Sequence, residues 1–259
     1  MPDATFLTRK DLDLADPATV APALVRWAPA AIINCAAYTH VDRAEADEDH
    51  AHTINADSVG EMAAVARAMG IPFVTFSTDY VFDGSADTPY VESSPTSPVN
   101  AYGRTKLAGE QMALETYPGS LVIRTSWVIS GTHPNFVATM LRLVDERELR
   151  VVDDQVGCPT VAADLAAATR RAIERRVTGI LHLTNTGATT WFELARTAVG
   201  LAGRDVTRIS PCSTDEYPTP APRPRFSVLG SERRASVGVT PLPHWRDSLR
   251  EVVARQLAR

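Results

Sequence analysis

Short apolar runs alternate along the chain with longer segments in which apolar residues recur every three or four positions. The short runs predict buried strands, and the periodic segments predict amphipathic helices. Predicted strands are 30–38, 72–77, 120–128 and 179–185. Predicted helices are 55–70, 101–117, NFVATMLRLVDE, AADLAAATRRAIERR and TWFELARTAVGLAG. Strands separated by helices of this length predict an α/β fold with a doubly wound, parallel, Rossmann-like sheet.

The pattern changes after about Gly187, where the regular alternation stops. The stretch YPTPAPRPRF has four prolines from Pro218 to Pro224, which predicts an extended loop or linker. We expect residues 1–130 to form the Rossmann-like part, with 161–185 returning to it. Residues 131–160 and 187–259 are expected to form a smaller C-terminal cap over the carboxyl edge of the sheet.

Composition excludes several classes of protein. Of 259 residues, 44% are hydrophobic, and the formal net charge of −5 comes without a basic stripe, which disfavours nucleic acid or an anionic membrane as partner. No apolar run reaches the roughly 18 residues of a spanning helix, and no signal peptide is visible, so we expect a cytoplasmic protein. Cys35, Cys158 and Cys212 are widely spaced and are interpreted as reduced thiols. The stretch EADEDHAH is interpreted as an exposed acidic helix start, and no metal site is predicted.

Polar and aromatic residues follow three of the predicted strands. These strand ends are Asn34 to Tyr38, Ser77 to Tyr80, and Thr125 to Trp127. In open α/β sheets, ligands bind outside the carboxyl ends of the strands. A helix cap or a turn would explain any one of these ends alone. Three ends that converge at one edge favour a binding site.

The stretch AYGRTK carries the sharper chemical signal. Tyr102 and Lys106 are four residues apart, so on a helix they share one face. A nearby ammonium favours the phenolate and lowers the tyrosine pKa, which would let Tyr102 give a proton to a carbonyl oxygen. Thr78, at a strand tip, could donate to the same oxygen. Without Thr78, the pair would be an ordinary helix-surface feature.

Six motifs carry a resemblance to one family. INCAAYTHVDRAEAD, STDYVFDG, YGRTKLAGE, RTSWV, DDQVGCPT and RPRFSVL occur in the order found in dTDP-4-dehydrorhamnose reductases, which are extended short-chain dehydrogenases/reductases. The match runs from about Arg9 to the C-terminus. The resemblance implies NADPH, or else NADH, as cofactor and a dTDP-linked 4-keto-6-deoxy sugar as substrate. It also implies that residues 1–130 bind the cofactor and that the smaller cap binds the substrate, and it leaves a homodimer open.

Residue roles are carried over from the resemblance position by position. Tyr102 would be the proton donor, Lys106 would tune it and hold the nicotinamide ribose, and Thr78 would polarise the C4 carbonyl. Cofactor contacts are expected at Asp13, Leu14, Ala37, Tyr38, Thr39, Tyr102 and Lys106. Substrate contacts are expected at Thr78, Asp79, Tyr80, Trp127 and Arg223. Trp127 could instead be an ordinary core residue, and Arg9 either a partner of an NADP 2′-phosphate or a solvated loop residue.

One part of the family pattern is missing. The family begins with a strand and a Gly-rich turn that hold the cofactor pyrophosphate, whereas the first glycine here is Gly60 and no G-x-G-x-x-G occurs. The opening ATFL resembles the family's second strand. In the doubly wound order the first strand is central, and its loss would leave backbone unpaired. We therefore expect Met1 to be an internal or miscalled start, or the chain to be a fragment.

The leading hypothesis is an NAD(P)H-dependent enzyme that reduces dTDP-4-dehydro-L-rhamnose to dTDP-L-rhamnose in deoxysugar nucleotide biosynthesis. One alternative is a related ketoreductase with another deoxysugar substrate. A second is a non-catalytic sugar-nucleotide-binding or regulatory subunit, which the missing Gly-rich turn favours and the intact Thr78, Tyr102 and Lys106 disfavour. An epimerase or dehydratase of the same superfamily is a third, because Asp79 beside the threonine suits that chemistry.

Overall fold

Helices separate the long strands within residues 4–258, the part of the chain that the computed structural model describes. The α-helices are α1 Val20–Trp27, α2 Val41–Ala44, α3 Glu48–His52, α4 Ser58–Met69, α5 Ala101–Thr116, α6 Phe136–Glu146, α7 Ala162–Glu174, α8 Trp191–Leu201 and α9 Trp245–Leu257. The strands are β1 Ile32–Asn34, β2 Phe73–Thr78, β3 Leu121–Thr125, β4 Val128–Ile129, β5 Leu149–Val152, β6 Val156–Gly157, β7 Thr160–Val161, β8 Gly179–His182, β9 Asn185–Thr186, β10 Thr189–Thr190, β11 Ile209–Cys212 and β12 Leu242–His244. Short 3₁₀ and π-helical turns join several of them.

The main sheet is parallel and has the strand order β1-β2-β3-β8. Thr78 of β2 pairs with Thr125 of β3, and Asn34 of β1 pairs with Thr75 of β2. The carboxyl ends of these strands therefore lie at one edge of the sheet. Helices cover both faces, as the alternating pattern predicts. The predicted doubly wound, Rossmann-like α/β class is confirmed.

Each face of the sheet has its own apolar core. On one face, α1, α4 and α5 contribute residues such as Val20, Met62 and Ala113, which pack on Phe73 and Val122. On the other face, α7 packs on the sheet in a second cluster, which comprises Val74, Leu121, Ile123, Leu165, Ala168, Ala172, Leu181, Leu183, Val239 and Leu242. Because helices cover both faces of the sheet, β2 and β3 are buried along nearly their whole length.

A third apolar cluster lies in the segments that follow β3. It joins α6, α8 and α9 to the two-stranded sheet β5–β11, and its largest fully buried side chain is Trp245, 1% exposed. The proline-rich stretch from Tyr217 to Pro224 contains neither helix nor strand, as predicted. In residues 4–258 no helix combines the length and the apolar character that crossing a membrane requires. All three cysteines carry free thiols; Cys158 and Cys212 are buried and Cys35 is exposed.

The prediction of a strand at ATFL is wrong. Residues 4–8 form no strand, and Phe6 is 86% exposed. The backbone turns at once after this stretch, because the Asp11 carboxylate accepts from both the amide and the hydroxyl of Thr8, 2.8 Å each. Helix α4, by contrast, stops at the predicted residue: Gly70 follows it in the left-handed conformation, φ +65°.

Candidate active site

Polar side chains converge at the carboxyl edge of the sheet, and three of them are incompletely paired. Ser77 Oγ, Asp79 Oδ2 and Thr125 Oγ1 are buried and have no hydrogen-bond partner within the described range. Leaving a buried polar atom unpaired costs about 1–3 kcal/mol, so native proteins retain few of them. At this edge of the sheet the side chains therefore carry more hydrogen-bonding capacity than their own neighbours use.

The first turn of α5 is fixed tightly against this edge. The Asn100 side chain caps the helix by accepting from the Gly103 amide at 2.8 Å. Gly103 lies so close to the chain after β2 that a Cβ built on it would be 2.2 Å from the Tyr80 carbonyl oxygen. The ring of Tyr102 stands edge-on to the ring of Tyr80, with centroids 5.8 Å apart. These contacts place Tyr102 beside the end of β2.

Thr78 and Tyr102 are brought together, as the sequence predicts. Thr78 Oγ1 accepts from the Tyr80 amide at 3.2 Å and donates to Asp79 Oδ1 at 3.0 Å. Burial raises the pKa of Tyr102 to about 12; the Thr78 hydroxyl lowers it and the Asp79 charge raises it further. At neutral pH Tyr102 is therefore a protonated phenol beside a threonine hydroxyl.

Lys106 lies on the same face of α5 and is 5% exposed. Its ammonium donates to the Phe76 carbonyl oxygen at 2.6 Å. Burial lowers the pKa of Lys106 to about 8, and Glu110 opposes that effect. The expected lowering of the Tyr102 pKa by Lys106 is not present, because the ammonium is turned toward the Phe76 carbonyl and burial dominates at the phenol.

Asp79 is 2% exposed, and desolvation raises its pKa to about 6. Ser227 lies near enough for its hydroxyl to lower that pKa, and the Asp79 charge adds to the raised pKa of Cys158, which burial dominates. Ser227 and Cys158 belong to the RPRFSVL and DDQVGCPT motifs, which are joined by a bridge between Val156 and Phe226. The sequence analysis placed Arg223 of the RPRFSVL motif near the substrate but did not single out Ser227.

Arg223 reaches the same edge from the proline-rich stretch. Its guanidinium donates to Asp42 Oδ1 at 2.9 Å and to the Ala221 carbonyl at 2.9 Å. Burial raises the pKa of Tyr80 far above its usual range, and the charge of Arg223 partly offsets this. Arg223 is therefore a half-buried cation close to Tyr80, and its one carboxylate partner in the described residues is Asp42.

Trp127 follows β3 in a strained backbone conformation, with φ +46°. Its ring stacks on Trp191 with centroids 3.6 Å apart and an interplanar angle of 10°. A Cβ on Gly157 would lie 2.5 Å from the indole, so the DDQVGCPT loop passes directly against it. A large non-glycine residue with positive φ is uncommon and is concentrated at functional sites. Trp127 is half-buried, which agrees with neither a free surface residue nor a full core residue.

The residues after β1 are among those that the resemblance implies as cofactor contacts. Asn55, 1% exposed, accepts from the Tyr38 amide at 2.8 Å and donates to the Tyr38 carbonyl and to Thr105 on α5. Tyr38 and Tyr102 pack on the same small apolar cluster. Asn55 thus joins the segment 37–39 to the helix that carries Tyr102. Sequence reasoning missed it, because an asparagine inside a predicted helix carries no distinctive signal.

Asp13 and Leu14, two further residues expected to contact the cofactor, lie beside the start of α4. Leu14 is 8% exposed, and its carbonyl accepts from Ser58 Oγ at 2.7 Å. Asp13 accepts from the Ala15 amide, which lowers its pKa, and pairs with Arg9 at 3.2 Å. The Arg9 side chain is 76% exposed, which fits a solvated loop residue. Within residues 4–258 no group of three or more His, Cys, Asp or Glu side chains could hold a metal ion.

Comparison with known proteins gives one consistent family. Residues 3–258 match the family described as RmlD substrate binding domain. The chain is 46% identical over 227 residues to a dTDP-4-dehydrorhamnose reductase of Mycolicibacterium smegmatis, covering 86% of this chain and 69% of that protein. It is 42% identical over 245 residues to a dTDP-4-keto-6-deoxy-D-glucose reductase of Streptomyces niveus, covering 94% and 85%.

Solved structures agree. The crystal structure of a dTDP-4-dehydrorhamnose reductase from Bacillus anthracis in complex with NADP is 36% identical, with a TM-score of 0.94 over 97% of this chain and 90% of that one. A dTDP-4-dehydrorhamnose reductase from Clostridium acetobutylicum gives a TM-score of 0.91 at 38% identity, over 95% and 88%. The resemblance found in the six motifs is confirmed: the chain belongs to the RmlD substrate binding domain family, together with dTDP-4-dehydrorhamnose reductases.

Proposed function

We propose that this protein is an NADPH-dependent reductase that converts the C4 keto group of a dTDP-linked 4-keto-6-deoxy sugar, dTDP-4-dehydro-L-rhamnose, to the alcohol. The observation that carries the proposal is the convergence of Thr78, Tyr102 and Lys106 at one edge of the sheet. The relatives that share this fold at 36–46% identity bear the names of such reductases.

The residues at this edge fit a nicotinamide cofactor. An ammonium has three donors, and one of those of Lys106 is occupied by Phe76, which leaves donors for the hydroxyls of a ribose. Segment 37–39, with Asp13 and Leu14, would hold the rest of the cofactor. The solved relative from Bacillus anthracis is in complex with NADP. When bound, the reduced nicotinamide supplies the hydride.

The protein's own residues then act on the carbonyl oxygen. Tyr102 holds a proton at neutral pH because burial raises its pKa to about 12. Thr78 would turn its one hydroxyl proton from Asp79 Oδ1 to the same oxygen and so fix its position. Lys106 is mostly protonated below pH 8, and its charge would stabilise the phenolate that remains when Tyr102 gives up its proton once the ammonium turns from the Phe76 carbonyl toward the phenol.

The substrate would lie between this edge and the smaller part of the chain, residues 131–160 and 187–259. Asp79 and Trp127 would contact the deoxysugar, with Tyr80 between them and Arg223. Arg223 suits the diphosphate, since a guanidinium binds such groups with two parallel hydrogen bonds. Three free thiols are typical of a reducing compartment, which supports the cytoplasm as location.

Replacing Tyr102 by Phe tests the proposal. The variant should lose about 10²–10⁴-fold in kcat for NADPH oxidation with the 4-keto sugar, while substrate affinity is retained, since one proton donor is removed and the ring stays. Tyr117→Phe, at the far end of α5, is the matched control and should keep wild-type kcat. Unchanged turnover by the Tyr102 variant would contradict the assignment.

A further inference from the structure

A buried ion pair joins α5 to β3 one helical turn after Lys106. Glu110 is one turn after Lys106, and its carboxylate accepts two hydrogen bonds from Arg124 of β3, at 2.8 and 2.6 Å. Both side chains are 3% exposed. Two-point pairing of this kind fixes the carboxylate in orientation as well as in place.

Arg124 also contacts two side chains other than Glu110. Its guanidinium lies 5.1 Å from the centre of the Phe82 ring and 3.5 Å from His182 Nε2. Burial lowers the pKa of His182, and its Nδ1 hydrogen-bonds the Gly230 carbonyl at 2.8 Å. A neutral His182 therefore donates through Nδ1 and accepts through Nε2, so it orients Arg124 without adding charge.

Lys106 has no carboxylate within ion-pair distance in the described part of the chain. The titratable and charged groups on α5 and on the elements packed around it are Cys35, Tyr38, Asp42, Arg43, Glu45, Glu48, Asp49, His50, His52, Asp57, Glu61, Arg67, Asp79, Tyr80, Tyr102, Arg104, Glu110, Glu115, Arg124 and His182. Among them Glu110 is the one that raises the pKa of Lys106, against the larger lowering by burial.

We propose that Glu110, held by Arg124, is a positioning residue that keeps the buried Lys106 ammonium protonated at the pH where the enzyme works. The proposal rests on the role given to Lys106 in the proposed function. Its physical basis is geometric: residues four apart on a helix are neighbours, and both side chains face the same dry interior. Opposite charges interact much more strongly there than in water.

The chain offers a direct test, because it contains two lysines, Lys10 and Lys106. Protein labelled with ¹³C at the lysine Cε positions gives two signals in an NMR titration. Exposed Lys10 serves as internal reference, and Lys106 should titrate near pH 8 in the wild-type protein. This readout needs neither substrate nor turnover.

The decisive variant is Glu110→Gln, because it removes the carboxylate charge and leaves the Arg124 cation in place. The Lys106 midpoint should fall by about one pH unit. Glu110→Asp keeps the charge and should titrate as the wild type does. An unchanged midpoint in Glu110→Gln would overturn the proposal. If this variant does not fold in a circular-dichroism melt, Arg124→Gln is compared with the double variant Glu110→Gln, Arg124→Gln, and equal midpoints would overturn the proposal instead.

Glu174→Gln is the matched control, since it removes an exposed i,i+4 pair with Arg170 on α7 and should leave Lys106 unchanged. The pH profile of kcat separates this inference from the proposed function. If the Lys106 midpoint falls and the alkaline limb of the kcat profile moves to lower pH by the same amount, both the role of Glu110 and the proposed role of Lys106 are supported. A lowered midpoint with an unmoved limb supports the role of Glu110 and refutes that of Lys106.

Discussion

Gly103→Ala should disable the site although it adds one methyl group to a helix. The new Cβ would lie 2.2 Å from the Tyr80 carbonyl oxygen and 2.9 Å from Pro98 Cβ, about 1 Å short of ordinary contact with the oxygen. Neither neighbour is the free end of a side chain, so the first turn of α5 has to move. Overpacking of this kind costs about 1–3 kcal/mol. A misplacement of about 1 Å at a reacting group lowers the rate about 10²-fold.

Two measurements separate these effects: denaturant unfolding and kcat for NADPH oxidation. Gly200→Ala is the matched control, because Gly200 lies inside α8 and its new Cβ would meet Val206 at an ordinary 3.4 Å. Alanine is the better helix former, so that variant should keep its activity and gain up to about 1 kcal/mol. A Gly103→Ala protein with wild-type stability and rate would refute the view that this contact positions Tyr102.

Two further predictions concern buried polar groups. The folded pKa of Asp79, about 6, is above its ordinary 3.8, so its contribution to stability is present at low pH and is lost as pH rises from about 4 to 6. The free energy of unfolding of Asp79→Asn, taken relative to wild type, should therefore be up to about 3 kcal/mol higher at pH 8 than at pH 4. A difference between variant and wild type that is the same at both pH values would contradict this. Asn55→Ala removes both hydrogen bonds to Tyr38 and the one to Thr105, and should cost about 1–3 kcal/mol of stability and weaken NADPH binding in a fluorescence titration; wild-type affinity would show that segment 37–39 does not bind the cofactor.

The pattern of apolar and polar positions was sufficient for the main sheet. Strands β2 and β3 are buried on both faces, so apolar residues follow one another in FVTF and LVI without strict alternation, and Gly70 marks the end of α4. The spacing of Tyr102 and Lys106 was informative because residues four apart on a helix lie on the same face, about one turn apart. The strand predicted at ATFL was wrong because a short apolar stretch has the pattern of a strand even where it pairs with no other strand.

The supporting residues of the site could not be predicted in this way. Asn55 and Thr105 are 50 positions apart, and Glu110 and Arg124 belong to a helix and a strand whose contact depends on the finished fold. The direction of the Tyr102 pKa shift was also out of reach, since it depends on how deeply the phenol is buried and where the Lys106 ammonium points.

The stacked pair of Trp127 and Trp191 also has a spectroscopic consequence. Trp127 follows β3 and Trp191 begins α8, and both pack against the third apolar cluster. Two indoles held 3.6 Å apart and nearly parallel share their electronic excitation, which produces a paired positive and negative band in near-ultraviolet circular dichroism. That signal disappears when the rings separate by a few ångströms. The protein thus carries an intrinsic optical signal of the packing between the segment after β3 and the start of α8, which needs no added dye.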